Sequence, residues 1–286
     1  MENKYPKVFV IILNYNGKET IQKCLKSVFQ MDYPNFEVVV VDNDSKDGSL
    51  EIARSLFSKA HFIKNQSNFG FARGNNPAIR FALEKMADYV FLLNNDATIE
   101  TNTIDKLVRA AEAEKNIGIF SPIIMNGSKV WFSGGEIKWF QMRTNHKTKI
   151  PEKEISICDY VTGCAMLIKK EVFKDTGIFD EDYFLYYEDA DFCMRARKNG
   201  FKSAVVKSVR VFHDEKSNEN MQQKTYWLVI SGLIFSRKNT PLFFKPSVFL
   251  YLILRKIKNR FSKNNLAPTV RKAYLDYKAH VRSAHN

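Results

Sequence analysis

The sequence predicts an α/β fold: a mostly parallel central sheet flanked by helices, with a C-terminal helical extension. Short apolar, β-branched runs alternate with segments typical of helices, and this alternation favours βαβ units and parallel strands. Polar residues directly follow three of these runs, at the strand ends where parallel sheets bind ligands. We therefore expect a ligand-binding edge on this sheet.

The first hundred residues contain the strands that define this edge. The run KVFVIILN (7–14) is apolar almost throughout, as in a strand buried on both faces. Further strands are predicted at 37–41, 61–64 and 89–93. The helices between them are predicted near 18–30, 48–56 and 78–85.

The second hundred residues are less regular. Residues 120–151 combine glycines, two Trp and Lys-rich loops, and their pattern predicts no definite element. A helix is predicted at 188–199, because acids fill its first turn, basic residues its last turn, and Gly200 follows it. Other predicted elements are a strand within 159–169, a helix at 170–176 and a strand at 205–212, which leads into His213.

The net charge of +13 is concentrated near the C-terminal end. From Arg237 onward there are twelve Lys or Arg residues and a single acid, Asp276. The apolar stretch at 241–254 is shorter than the roughly 20 residues of a membrane-crossing helix. Apolar runs among basic residues are typical of segments that lie on an anionic membrane surface. We therefore expect residues 216–286 to form a basic, amphipathic, membrane-associating region.

Cysteine usage and the N-terminal residues indicate a cellular compartment. The four cysteines include no C-x-x-C pair, so neither a zinc knuckle nor a redox motif is predicted. Residues 1–7 (MENKYPK) lack the apolar stretch of a signal peptide. We therefore expect a cytoplasmic protein with free thiols. The basic C-terminal region would hold it peripherally at the inner face of the cell membrane.

Six segments combine an apolar run with polar residues or glycines in a motif-like pattern. They are VFVIILNYNG (8–17), VVVVDNDSKDGS (38–49), NFGFARGNN (68–76), FLLNNDATIE (91–100), VTGCAMLIKKEVF (161–173) and FLYYEDADFCMRARKNGF (184–201), the last followed by VFH (211–213). Taken in this order, the chain resembles family 2 glycosyltransferases of the GT-A fold, a Rossmann-like α/β fold. The rhamnosyltransferase-like branch is the one it resembles in particular, and the resemblance covers about residues 8–213.

The resemblance implies a GT-A catalytic domain at about 1–215, with a nucleotide-binding half at about 1–100 and an acceptor-binding, catalytic half at about 101–215. It also implies transfer of a sugar, with inversion at the anomeric carbon, from a nucleotide-diphosphate donor to a hydroxyl group. The donor it suggests is dTDP-rhamnose, and the acceptor a glycan or polyprenyl-linked glycan of a bacterial surface polysaccharide. UDP-linked galactose, glucose and N-acetylhexosamine remain open as donors.

Eight residues would bind the nucleotide by this resemblance. Asp42 would accept a hydrogen bond from the imide N–H of uracil or thymine, and Asn14 would line the nucleoside pocket. Asp44 or Ser45 is better placed than Asp42 to cap the following helix, which leaves Asp42 available for the base. The others would lie near the ribose or diphosphate: Asn68, Gly70, Arg73, Asn76, Asn94 and Asn95.

A divalent metal, Mg²⁺ or Mn²⁺, is the cofactor that the resemblance implies. The family places a D-x-D metal motif where this chain has Asn94-Asn95-Asp96. The first Asp of that motif is Asn here, so Asp96 is the expected carboxylate ligand. In related enzymes a His after the last strand completes the site, and His213 has that position. Carboxylate, imidazole and two diphosphate oxygens would make a suitable set of ligands.

An acidic pair in the family supplies the catalytic base, and Glu188-Asp189 matches it. We expect Asp189 to deprotonate the acceptor hydroxyl. The helix dipole alone also favours acids in a first helical turn. However, residues 180–191 contain six carboxylates, which is more than capping requires. Glu188, Gly163 and Cys164 are expected to bind the acceptor or to support Asp189.

Other functional classes fit the sequence less well. The chain lacks both the G-x-G-x-x-G motif of a dinucleotide-binding oxidoreductase and a P-loop. A sugar nucleotidyltransferase would need a Gly-rich basic loop after the first strand, where only Gly17 occurs. A nucleic-acid-binding protein would explain the basic tail, but the apolar runs in that tail favour lipid, so no nucleic-acid partner is expected. A non-catalytic nucleotide-sugar-binding protein, which would not need both Asp189 and the metal residues, remains an alternative.

Overall fold

A mixed β-sheet forms the centre of the computed structural model, which describes residues 5–214 and 220–283. The described strands are β1 (Val8–Asn14), β2 (Phe36–Asp42), β3 (His61–Lys64), β4 (Tyr89–Asn94), β5 (Ala97–Ile99), β6 (Ile117–Asn126), β7 (Lys129–Phe132), β8 (Gly135–Lys138), β9 (Arg143–His146), β10 (Ile155–Cys158), β11 (Ala165–Lys169) and β12 (Lys202–His213). The described α-helices are α1 (Ile21–Phe29), α2 (Ser49–Leu56), α3 (Gly70–Glu84), α4 (Thr103–Ala113), α5 (Lys170–Thr176), α6 (Glu188–Lys198), α7 (Met221–Asn239), α8 (Lys245–Phe261) and α9 (Ala267–Ser283).

Four parallel strands form the N-terminal half of the sheet in the order β3, β2, β1, β4. At their carboxyl ends Asn14 pairs with Asp42, and Leu13 pairs with Asn94. The predicted polar edge is therefore present. Beyond β4 the sheet continues through β11, β6, β12 and β10, where β11 runs antiparallel to both of its neighbours.

Strand β1 occupies the middle of the parallel half because its side chains are apolar on both faces. Residues Val8 to Ile12 are fully buried, as the continuous apolar run predicts. Each buried Val or Ile side chain contributes roughly 1.5–3 kcal/mol to stability. Helix α3 packs against β1 and β2, and α4 packs against β6 and β12.

The short strand β5 positions the residues that follow β4. It pairs antiparallel with the end of β12, and His213 lies opposite Ala97. The backbone N–H of Asp214 also donates to the carbonyl of Asp96. Since Asp96 directly precedes β5, this pairing places it beside the end of β12. With three residues, β5 is too short to be recognised from its sequence pattern.

Several element boundaries differ from the sequence predictions. Helix α3 begins at Gly70, so residues 70–76 are helical instead of forming a loop. The segment without a predicted element contains β7, the β8–β9 hairpin and part of β6. Only Ala165–Lys169 of the predicted 159–169 strand is extended in the sheet.

The predicted C-terminal helical extension is confirmed, and it consists of α7, α8 and α9. Helix α7 packs against α6 and α9, and α8 packs against α9 and the short helical turn at Trp139–Gln141. In the ranges described, no helix combines the length and the apolar character needed to span a bilayer.

Candidate active site

A cavity of about 540 Å³ at the polar edge of the sheet brings together most of the predicted catalytic residues. Its walls come from the ends of β4 and β12, the turns before β11 and α6, the β9 strand and helix α7. The predicted residues that line it are Asn94, Gly163, Cys164, Glu188, Asp189 and His213. The two halves of the predicted catalytic domain therefore meet in one cavity.

Asp189 lies in the first turn of α6, and its carboxylate is partly open to this cavity. Its Oδ2 accepts a hydrogen bond from the backbone N–H of Gly163 at 3.2 Å, and its Oδ1 accepts one from the N–H of Ala190 at 2.7 Å. Burial raises the pKa of Asp189 to about 6, although these donors and the Thr162 hydroxyl favour the charged form. A carboxylate with this pKa is ionised at neutral pH and suits a general base.

Glu188, beside Asp189, is the more deeply buried of the two carboxyl groups. Its side chain is 5% exposed, and its Oε2 has no hydrogen-bond partner among the described residues. Burial, together with the charge of Asp189, raises the pKa of Glu188 well above its usual value. The shift favours the protonated form of Glu188 beside a negatively charged Asp189. Separated pKa values in a pair of carboxyl groups are typical of acid–base sites.

The other carboxylates of segment 180–191 are engaged in structural contacts. Lys238 of α7 bridges Asp180 and Asp182. Asp191 is buried and accepts hydrogen bonds from Arg195, Tyr183 and Asn239. Glu181 accepts a hydrogen bond from Asn76 and lies near Arg73 and Arg80. Of the six acids in this segment, Glu188 and Asp189 are the two that line the cavity.

The turn that leads into α6 has an unusual backbone. Tyr186 and Tyr187 have φ values of 70° and 67°, which cost roughly 1–2 kcal/mol for each residue that is not glycine. Helix α7 holds this turn in place: the hydroxyl of Ser231 donates to the carbonyl of Leu185 at 2.7 Å, and the ring of Phe235 packs on that of Tyr187. Backbone strain of this kind is common at functional sites.

Asp96 and His213 lie together, as the resemblance implies. His213 Nε2 is 3.1 Å from Asp96 Oδ1, within the distance of an ion pair. Asp96 Oδ1 and His213 Nδ1 are buried, and neither has a hydrogen-bond partner among the described residues. Although burial opposes the charge, Asp96 and Cys164 raise the pKa of His213 to about 10. The surroundings therefore favour positive charge at this point.

Asp42 is the predicted residue that fits its role least well. It is fully buried and does not line the cavity. Its Oδ1 accepts a hydrogen bond from Asn14 Nδ2 at 3.0 Å, and its Oδ2 accepts one from the backbone N–H of Ser45. The expectation that Asp44 or Ser45 caps helix α2 is wrong, because this helix begins after Gly48 without a side-chain cap and the N–H of Ser49 donates to Asp47. Base recognition by Asp42 stays a prediction.

The amide of Asn14 connects the ends of three strands. It is fully buried and donates to Asp42, Ser45 and Ser49. Its Oδ1 accepts a hydrogen bond from Asn95 Nδ2 at 3.0 Å. Asn14 and Asn95 therefore stiffen the edge of the sheet, and neither lines the cavity. Asn94, by contrast, lines it, and its N–H donates to the carbonyl of Cys164.

Residues of the predicted phosphate loop at 68–76 make hydrogen bonds within the protein, and their place near the ribose and diphosphate stays a prediction. Asn68 accepts hydrogen bonds from the N–H of Gly70 and from Asn43, and Asn76 donates to Phe179 and Glu181. A Cβ atom on Gly70 would lie 2.0 Å from the carbonyl oxygen of Phe184. These contacts join the two halves of the catalytic domain. Arg73 is exposed, stacks on Phe69 and faces Glu181 at 3.6 Å.

Other residues of the cavity escaped the sequence analysis. Trp131 and His146 come from the segment without a predicted element, and the ring of Trp131 lies 5.0 Å from that of His213. Lys224 and Leu228 come from α7, which the sequence analysis assigned to a membrane-associating region after residue 215. Helix α7 is therefore part of the cavity wall, while the membrane association expected for residues 216–286 stays a prediction.

Comparisons with known proteins agree with this geometry. The model of the family described as "Glycosyl transferase family 2" matches residues 9–177, more than half of the chain. The solved structure of the mannosyltransferase PcManGT from Pyrobaculum calidifontis, in complex with GDP-Man and Mn²⁺, superposes with a TM-score of 0.62 at 19% identity, over 97% of this chain and 76% of that chain. This likeness confirms the predicted GT-A fold.

Two sequence relatives cover most of the chain. The dTDP-rhamnosyl transferase RfbF of Shigella flexneri is 25% identical over 96% of this chain and 93% of that protein. The low-salt glycan biosynthesis hexosyltransferase Agl10 of Haloferax volcanii is 29% identical over 76% of this chain and 70% of that protein. Together with the family match and the fold, they identify the chain as a glycosyltransferase that belongs to glycosyl transferase family 2.

Proposed function

We propose that this enzyme transfers a sugar, with inversion, from a nucleotide-diphosphate donor to a hydroxyl of a glycan or lipid-linked glycan. The observation that carries the proposal is the shared cavity, in which an ionised Asp189 lies on the same walls as His213. A non-catalytic binding protein would have no need for both a base with a raised pKa and a site for a cation. The presence of both a base and a site for a cation therefore favours catalysis over binding without reaction.

The proposed reaction is a single in-line displacement. Asp189 takes the proton of the acceptor hydroxyl while the hydroxyl oxygen forms a bond to the anomeric carbon. The bond from that carbon to the diphosphate oxygen breaks, and the nucleoside diphosphate leaves with the electron pair. The backbone N–H of Gly163 fixes Asp189 for this step. The protonated form of Glu188, which burial favours, would add no second negative charge beside the base, and its Oε2 makes no hydrogen bond to the described residues, so it is available to the acceptor.

A divalent cation, Mg²⁺ or Mn²⁺, is the cofactor that we propose for Asp96 and His213. Their facing atoms lie 3.1 Å apart, and the buried Oδ1 of Asp96 has no donor among the described residues, so the pair fits a cation. Within the described ranges no cluster of three or more His, Cys, Asp or Glu side chains forms a metal site, so diphosphate oxygens would complete the ligands. When bound, the cation would neutralise charge on the leaving diphosphate.

The donor that we propose is dTDP-rhamnose. Support comes from the relative named as a dTDP-rhamnosyl transferase, which matches the chain over nearly its whole length. A UDP-hexose or UDP-N-acetylhexosamine is the alternative, and the relative named as a hexosyltransferase favours it. The acceptor would be an intermediate of a bacterial surface polysaccharide.

We also propose that the enzyme works at the cytoplasmic face of the cell membrane, where a lipid-linked acceptor would lie. Helix α8 supports this location because it exposes a row of large apolar side chains to solvent. Their exposed fractions are 67% for Phe249, 56% for Leu250, 56% for Leu254, 51% for Ile257 and 76% for Phe261. Such a row beside basic residues is typical of a helix that lies in a membrane interface.

A panel of nucleotide sugars tests the proposed function. The purified protein is incubated with dTDP-rhamnose, UDP-glucose, UDP-galactose and UDP-N-acetylglucosamine, with and without Mn²⁺, together with a membrane lipid extract that supplies an acceptor hydroxyl, and release of the nucleoside diphosphate is measured. We expect release from one donor only, dependent on the cation and lost in the Asp189→Asn variant. Equal release by the parent and Asp189→Asn proteins would contradict the mechanism. Binding of a donor without any release would favour a non-catalytic protein.

A further inference from the structure

A second cavity, outside the active site, lies between α8 and α9. It has a volume of about 590 Å³ and is lined by nine residues. Four of these carry a positive charge: Lys256 and Arg260, one helical turn apart on α8, and Arg271 and Lys278 on α9. None of the nine lining residues is acidic. We refer to this cavity as the basic groove.

The charge of the basic groove is not balanced by nearby carboxylates of the C-terminal segment. Asp276 is the single acid in the sequence from Arg237 onward. Its Oδ2 accepts a hydrogen bond from Tyr226 of α7 at 2.7 Å, and Asp276 does not line the groove. Arg271 donates to the carbonyl of Asn259, which holds its guanidinium at the groove without changing its charge. The groove therefore attracts an anion.

The remaining lining residues make the groove apolar as well as basic. Ile253, Ile257 and Leu275 are 39%, 51% and 65% exposed, so their hydrocarbon surface is open to a ligand. Tyr274 adds an aromatic ring, and its buried hydroxyl has no hydrogen-bond partner among the described residues. A buried hydroxyl without a partner is unfavourable, and a phosphate oxygen would satisfy it. The ligand should thus combine a phosphate with a hydrocarbon chain.

We propose that the basic groove binds an anionic phospholipid, whose phosphate contacts the four cations and the hydroxyl of Tyr274 while an acyl chain lies along the apolar residues. The inference rests on the proposed membrane location, and it adds the class of lipid that the enzyme would bind there. The exposed apolar row on α8 includes Ile257, which also lines the groove, so the groove opens where α8 would meet the bilayer. Basic pockets between helices are known to select lipid headgroups in this way.

Nucleic acid and a second copy of the chain explain the groove less well. A nucleic-acid site would use its cations along a polar, solvated surface, whereas four of the nine residues that line this groove are apolar or aromatic. The same groove on a second copy carries the same four charges, so two such faces would repel each other. An anionic lipid matches both the charge and the apolar lining.

Flotation of the full chain with lipid vesicles tests the proposal. Vesicles of phosphatidylcholine are compared with vesicles that also contain phosphatidylglycerol. The groove variant carries Lys256→Gln, Arg260→Gln, Arg271→Gln and Lys278→Gln. A matched control removes four exposed lysines elsewhere: Lys26→Gln, Lys59→Gln, Lys129→Gln and Lys174→Gln. Because basic residues near an anionic surface contribute about 5-fold each, the groove variant should lose at least about 20-fold in partitioning to anionic vesicles.

The control variant should lose much less, and Tyr274→Phe should weaken the preference for anionic vesicles without lowering the melting temperature. Equal flotation of groove and control variants would overturn the proposal, as would equal binding of the parent to both kinds of vesicle. A dimeric parent that becomes monomeric in the groove variant, with flotation unchanged, would assign the groove to self-association instead.

If the fourfold variant does not fold, the α8 pair and the α9 pair are changed separately. Donor turnover in detergent should be the same in the groove variant as in the parent. If neither protein turned over a donor, that result would count against the proposed function and not against the groove.

Discussion

Nε2 of His213 lies 3.1 Å from Oδ1 of Asp96, although 116 positions separate the two residues in the sequence. The antiparallel pairing of β5 with the end of β12 produces this contact, since His213 is opposite Ala97, the neighbour of Asp96. Both side chains have buried polar atoms without hydrogen-bond partners in the described part of the chain. A cation held by the two side chains would give the buried Oδ1 of Asp96 a bonding partner in addition to this contact.

Asp96→Asn and His213→Ala should each weaken cation binding and turnover. Loss of charge neutralisation at a diphosphate is worth several kcal/mol, so kcat/KM should fall by roughly 100-fold or more. Titration calorimetry with Mn²⁺ and the nucleoside diphosphate checks the binding directly, without turnover. Asp214→Asn, next to His213 but paired with Lys23 at the surface, is the control and should bind Mn²⁺ normally. Normal Mn²⁺ affinity in both test variants would exclude this site.

Asp189→Asn should abolish most turnover and leave donor binding intact. The amide keeps the shape of the side chain but cannot take a proton, and general base catalysis typically contributes about 10²–10⁴-fold. Turnover is compared with donor affinity measured by calorimetry. Asp175→Asn, at an exposed position on α5, is the matched control. A variant that kept more than about a tenth of the parent rate would show that another group is the base.

The rate should depend on pH through Asp189. Because burial raises its pKa to about 6, the carboxyl becomes protonated below that pH and can no longer accept a proton. Activity should therefore rise with pH up to about 6 and level off above it, with kcat/KM falling about tenfold per unit on the acid side. The profile is measured with the metal saturating at every pH. Glu188→Gln should keep this acid limb, since the proposed base is Asp189 and the amide keeps the shape of the Glu188 side chain. Loss of the acid limb in the Glu188→Gln variant would show that Glu188, and not Asp189, is the base.

The order of strands and helices could be predicted because each depends on local patterns. Apolar runs identified β1, β2 and β4, and their polar ends correctly located the edge of the sheet. Asp189 follows from the resemblance to the family's acidic pair, and the helix that contains it could be predicted from its charged ends. Its cavity could not be derived, because the walls come from segments that meet only through tertiary contacts.

The side-chain partners of several acidic residues could not be predicted, because most of these partners lie far away in the sequence. Lys238 of α7 neutralises Asp180 and Asp182, so the dense carboxylates before α6 serve mainly to attach the C-terminal helix. Asp42 follows a strand as a ligand-binding Asp would, yet its oxygens close the turn after β2. A local pattern places these side chains at the edge, but it does not specify which partner each one meets.

The contact between Gly70 and Phe184 should be essential for both stability and activity. Gly70 has a φ of 74°, and an added Cβ would lie 2.0 Å from the carbonyl oxygen of Phe184. The N–H of Phe71 donates to that same oxygen at 2.7 Å, so the backbone of the two halves cannot separate without losing a hydrogen bond. Gly70→Ala therefore has to displace the segment that leads into Asp189.

Gly127 provides the control for this substitution. Its φ is also positive, at 57°, but an added Cβ there meets no atom within 4 Å. Gly127→Ala should cost only the backbone strain, about 1 kcal/mol of unfolding free energy, whereas Gly70→Ala should cost more than about 3 kcal/mol. Urea unfolding measures both values, and kcat should fall only in Gly70→Ala because only that segment positions the base. Equal losses of stability, with kcat unchanged in both, would mean that the contact does not hold the catalytic turn.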